Sequence, residues 1–84
     1  MDEKTLRALV DAGAVKQVRI VADGSRFHVE VETQTGSVAA STVKGAPKSW
    51  VTLDAAAKWV RSLGVGAARL EIAKWQPGQR RLSI

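Results

Sequence analysis

The dipeptide Asp23-Gly24 lies between two stretches in which apolar and polar residues alternate, and that arrangement leaves the chain little choice but an antiparallel hairpin. Before it, Val18, Ile20 and Ala22 alternate with Gln17, Arg19 and Val21; after it, Phe27, Val29 and Val31 alternate with Arg26, His28, Glu30 and Glu32. A period of two puts each set on one face of a strand. A two-residue type I′ turn at Asp23-Gly24 fixes the register, pairing Ala22 with Ser25, Ile20 with Phe27 and Val18 with Val29. The same register sets Arg19 opposite His28 and Gln17 opposite Glu30. One face of the hairpin is apolar and must be covered; the other is polar and faces water.

Two amphipathic segments supply the cover. Asp2 is placed to cap a helix over residues 3–12, where Leu6, Leu9 and Val10 fall on one stripe and Gly13 ends the run. Thr52 caps a second helix with Asp54 in its first turn, a stripe of Leu53, Ala56, Ala57, Val60 and Leu63, and Gly64 as the stop. Between them, Thr35-Gly36 turns into a weaker strand from Ser37 to Val43, with Val38, Ala40 and Thr42 on one face. Residues 44–49 read as a loop. Trp50 is expected to staple the first turn of the second helix, and Trp59 to join its core stripe. After a short connection at Val65-Gly66, a strand from Ala68 to Trp75 turns Leu70 and Ile72 to the core and Arg69, Glu71 and Trp75 outward. The expected fold is therefore α+β in the order α-β-β-β-α-β, a four-stranded, mostly antiparallel sheet with two helices packed on one face. Residues 1–75 form the single domain, and residues 76–84 a polar, flexible C-terminal tail.

Composition removes most functional classes. Eighty-four residues bury only ~60% of their unfolded surface, enough for one modest core. With no cysteine and no tyrosine, and with His28 as the single histidine, thiolate chemistry and Cys-ligated zinc are excluded and general acids and bases are scarce. His28 shares a strand face with Glu30, yet no nucleophile is expected there, so an ordinary solvated histidine is the better reading. Gly64-Val65-Gly66 follows a helix, whereas phosphate-cradling loops follow a strand and open one. No catalytic residues, metal ligands, cofactor or small-molecule substrate are expected. The apolar runs are too short to cross a membrane and Met1-Asp2-Glu3-Lys4 is no signal-peptide start, so the expectation is a cytoplasmic protein.

The net charge of +5 is unevenly distributed. Residues 1–34 hold five Lys/Arg against six Asp/Glu, whereas residues 35–84 hold eight against only Asp54 and Glu71. Lys44, Lys48, Lys58, Arg61, Arg80 and Arg81 are thus candidates for one phosphate-binding surface on DNA, with the tryptophans available for stacking. A second candidate surface is the outer sheet face, where Trp75, Val15 and Val21 share a phase together with Ala39 and Val43, fit for a protein partner or a homodimer.

The α-β-β-β-α order is that of double-stranded RNA-binding domains, but their second helix opens on a lysine cluster, where this chain has Ser49-Trp50-Val51-Thr52-Leu53-Asp54. A nearer likeness rests on Gly13-Ala14-Val15-Lys16-Gln17-Val18-Arg19, on Thr52-Leu53-Asp54-Ala55-Ala56-Ala57, and on Val60-Arg61-Ser62-Leu63-Gly64 with Ala68-Arg69-Leu70-Glu71-Ile72. In these stretches the chain resembles the small ParC-type partition-associated proteins of proteobacterial plasmids and integrative elements. The resemblance implies a non-enzymatic accessory role in DNA maintenance, with DNA or a partition-complex protein as partner.

Overall fold

The computed structural model describes residues 1–76 of the chain. Asp2 caps helix α1 (Glu3–Asp11): its carboxylate accepts from the Thr5 amide at 3.0 Å, satisfying one of the donors that every helix start leaves unpaired. That bond to the Thr5 amide holds the Asp2 carboxyl below its ordinary pKa. Gly13, at φ +73°, then turns the chain out of the helix.

Strands β1 (Val15–Gly24) and β2 (Arg26–Thr33) form the expected hairpin, in a register two positions away from the one read from the turn. Asp23 pairs with Arg26, Ala22 with Phe27, Ile20 with Val29 and Val18 with Val31, so the loop is Gly24-Ser25. Gly24 has φ +66°, and a hairpin loop accepts a left-handed glycine in its first position as well as its second. The observed register also sets Arg19 against Glu30 and Asp23 against Arg26, two opposite-charge pairs, and Gln17 against Glu32. A slip of two residues leaves every side chain on its original face, so the expected apolar set is the observed core.

Strand β3 (Gly36–Ala39) pairs antiparallel with β2 and is shorter than residues 37–43. Ala40 adds one further bond, its N–H to the Val29 carbonyl at 2.8 Å, and then the chain leaves the sheet; Val43, expected on a strand, is 87% exposed in a loop. Ser41 and Pro47 bridge the base of that loop. Trp50 returns to β2, exchanging both backbone bonds with Phe27 at 2.8 Å. Residues 40–50 are therefore a detour between two points on one edge of β2.

Helix α2 (Leu53–Ser62) starts at Thr52, whose hydroxyl accepts from the Ala55 amide at 3.1 Å. It ends at Gly64, where φ is +98° and a Cβ would stand 3.6 Å from Val10 of α1. Strand β4 (Arg69–Trp75) returns to the sheet parallel to β1, giving the order β3-β2-β1-β4. The sheet is mixed, mostly antiparallel, and the architecture is α+β with the element order expected. Leu6 of α1 and Ala56, Val60 and Leu63 at α2 close over Val18, Ile20, Ala22, Phe27, Val29 and Val31, so both helices cover one face. Of the tail expected over 76–84 only Gln76 is described; its N–H bonds the Gly24 carbonyl at 2.7 Å.

Candidate functional site

Two strand irregularities decide which side chains share a surface. Between Val15 and Gln17, β1 advances two residues while β2 advances one, from Thr33 to Glu32. Between Val21 and Asp23, β4 advances three residues, from Glu71 to Lys74, while β1 advances two. One extra residue in a strand reverses the faces of everything beyond it. Val15 accordingly packs against the core. Trp75 pairs with Gly24, on the phase of Ala22, and its ring lies 6.2 Å from that of Phe27 at an interplanar angle of 50°. The outer-face grouping of Trp75, Val15 and Val21 is thus corrected: Val21 alone of the three keeps that face, opposite His28 and beside Glu71.

The outer face carries a polar chain instead. Arg19 Nη2 donates to Glu30 Oε1 at 2.9 Å and to the Ser37 hydroxyl at 3.0 Å, while His28 Nε2 donates to Glu30 Oε2 at 2.9 Å. Glu30 is thus bonded to both His28 and Arg19. Ser37 joins because β3 pairs beside Glu30 and Glu32, a placement that strand alternation alone does not disclose. Its hydroxyl is turned to Arg19, while the imidazole is turned to Glu30. These contacts tie three strands together across an open face.

The basic residues divide among three places. Lys44 is exposed in the 42–46 loop. Lys48 is half-buried, its ammonium 5.6 Å from the Trp50 ring centroid and 5.8 Å from that of Trp59. The two indoles are 4.9 Å apart, so Trp50 reaches past the first turn of α2 to the second, and the staple is Trp50 on Trp59. Trp59 Nε1 donates to Glu3 Oε1 at 3.2 Å, and Arg7 donates to the other oxygen of Glu3 at 2.9 Å. The Arg7 bond, followed by that from Trp59, holds the Glu3 carboxyl below its ordinary pKa. Lys58 pairs with Asp54 at 3.2 Å on the solvent side of α2. Arg61 is two residues from Trp59, roughly 200° round the helix, and lines a groove on the opposite flank. Lys48 and Arg61 thus stand on opposite sides of α2. Arg80 and Arg81 lie outside the described residues.

That opposite flank carries exposed apolar surface. Between α2, Ile20 of β1 and the 65–68 connection that leads into β4 runs a groove of about 280 Å³ lined by Ile20, Ala57, Val60, Arg61, Val65 and Ala68. Leu70 pairs with Ile20 and so faces the helix side, yet it is 42% exposed; Trp75 is also 42% exposed, and Ile72, at the strand irregularity, 51%. Leu53 at the start of α2 and Val51 before it are exposed as well. Sequence alternation assigns Leu70 and Ile72 to the core correctly as to face but says nothing of cover: β4 is an edge strand, and no described residue pairs with its outer side. Among the described residues, no three His, Asp or Glu side chains gather as metal ligands, and no helix is long and apolar enough to cross a membrane. Comparison with family models, with curated proteins and with solved structures found no match to this chain.

Proposed function

We propose that this chain is a non-enzymatic accessory module that docks a protein partner along the edge of β4. One observation carries the reading: β4 is an edge strand whose outer side is unpaired among the described residues, and its helix-side residues Leu70 and Trp75 are exposed. An extended segment laid against such an edge gains backbone hydrogen bonds from the strand and side-chain burial against Leu70 and Trp75. The resemblance to ParC-type partition-associated proteins makes a partition complex of a mobile element the setting in which the partner is sought. Selection of extended peptides from a random displayed library against the folded domain tests this. Selected peptides should perturb the amide resonances of residues 69–75 and lose binding in Leu70→Lys. Peptides that map only to the outer sheet face or to α1 would refute the reading.

Direct binding of DNA is the second reading, favoured by the exposure of Lys44, Lys58 and Arg61. Lys58 is already ion-paired, and Lys48 is engaged with two indoles, so fewer cations are available for phosphate than the sequence offers. Anisotropy titration of a labelled duplex at two salt concentrations decides it. Phosphate contact requires affinity to fall steeply between about 50 and 200 mM salt.

A further inference from the structure

A docking edge at β4 needs an occupant, and the identity of that occupant rests on the docking-edge reading. The two edges of the sheet are not equivalent. β3 is four residues long, and the Met1 backbone lies alongside its C-terminal end, accepting from the Ser41 amide at 2.8 Å and donating from the Met1 amino group to the Ala39 carbonyl at 3.1 Å. β4 is seven residues long, and among the described residues nothing bonds its outer side. Short, covered edges resist pairing, whereas long open ones invite it.

Before its irregularity, β4 reads Arg69-Leu70-Glu71 in regular register with β1. The order cation, apolar residue, anion is complementary to itself when reversed. An antiparallel copy related by a two-fold axis at Leu70 sets Arg69 opposite Glu71 of the second copy, and Glu71 opposite its Arg69, with the two Leu70 side chains in contact on the helix side. Moving the axis by one residue to Glu71 would oppose the two glutamates. Within the chain the pair is loose, Arg69 Nε standing 3.8 Å from Glu71 Oε2 with the arginine side chain 64% exposed, so both groups are available for a cross-strand partner. Directly opposed charges of unlike sign favour a strand pair and like charges disfavour it.

We propose that the occupant of the β4 edge is a second copy of this chain, added antiparallel about Leu70, with Arg69–Glu71 at the start of β4 as the segment that pairs in both protomers. Such a contact is isologous and closes on itself, which limits assembly to a dimer. Sedimentation equilibrium from about 5 to about 500 µM protein should show a reversible monomer–dimer system, since edge pairs of this size associate weakly. Arg69→Glu and Glu71→Arg should each raise the dimer dissociation constant about tenfold by creating two like-charge pairs, and the double variant should restore it to within about threefold of the parent. Both sites are on the exposed strand, and circular dichroism verifies that each variant is folded. Monomer at every concentration overturns the proposal, as do a double variant that fails to recover or contacts from residues 77–84 to the outer side of β4. A monomer that still binds displayed peptides at residues 69–75 would remove the second copy as occupant while leaving the docking edge in place. Loss of both would remove the docking edge itself.

Discussion

Helix α1 is anchored by a single fully buried side chain, and Leu6→Ala should therefore loosen it more than any other one-residue change in the helix. Leu6 is 0% exposed and is the one buried residue of α1, with Val10 only partly buried against the core. Truncating a buried leucine to alanine costs about 2.7 to 5 kcal/mol, and a helix with one anchor can settle into the space, which places the expectation near about 3 kcal/mol. A domain of this length has roughly 4 to 12 kcal/mol of total stability, so the loss is a large share of it. At about 4 to 8 °C per kcal/mol, the melting temperature should fall by roughly 12 to 24 °C. The Trp59–Glu3 bond and the Asp2 cap remain, but a nine-residue helix detached from its sheet does not persist in water. Amides of α1 should then exchange well before those of β1 and β2. Far-UV circular dichroism melts with hydrogen exchange read both effects. A melting temperature within about 5 °C of the parent, with α1 protection unchanged, would refute the single-anchor account.

Three further outcomes are expected. Lys48→Ala should lower stability in urea by up to about 1 kcal/mol and change the tryptophan emission, because the ammonium lies near two indoles; Lys48→Arg should retain most of both. Asp2 and Glu3 are both held below their ordinary pKa values when folded, so their bonds add stability above the unfolded carboxylate range near about pH 4 and lose it as the pH falls through the lower folded values. Denaturation midpoints should therefore decline on acidification with a slope that Glu3→Gln reduces; a midpoint that rises on acidification would contradict this. Gly64→Ala should cost about 1 to 2 kcal/mol, since φ is +98° and the new methyl gains only an ordinary contact with Val10 at 3.6 Å, and Gly66→Ala, with open space around it and no positive φ, serves as the comparison.

The faces of the hairpin were legible because alternation is a parity, and parity survives the two-residue slip that the turn dipeptide did not disclose. Gly24 takes the left-handed position in either arrangement; the choice falls to partners such as Arg19 with Glu30, which become visible only when strands are aligned. Both helices were legible from their caps, Asp2 and Thr52, because capping is local chemistry. The site was legible in part. Trp75 stood out as an aromatic in a strand, but an inserted residue in a strand leaves no mark on an alternating pattern, so its face was misread by one step. The clustering of Lys48 with Trp50 and Trp59 depends on the detour through residues 40–50, a tertiary arrangement with no sequence period.

That detour has a practical use. Its base is closed by the Ser41–Pro47 bridge and by the Thr42 amide bonding the Ala46 carbonyl at 2.8 Å, while Val43 and Lys44 at its tip are exposed. Foreign sequence at such a tip replaces the tight turn that the Gly45 amide closes onto the Thr42 carbonyl at 2.9 Å, and the Ser41–Pro47 bridge lies below it. An epitope or fluorophore-binding tag placed between Val43 and Lys44 would sit on the β3 side of the sheet, opposite the β4 edge. Labelled protein could therefore report on events at β4 while leaving that edge unobstructed.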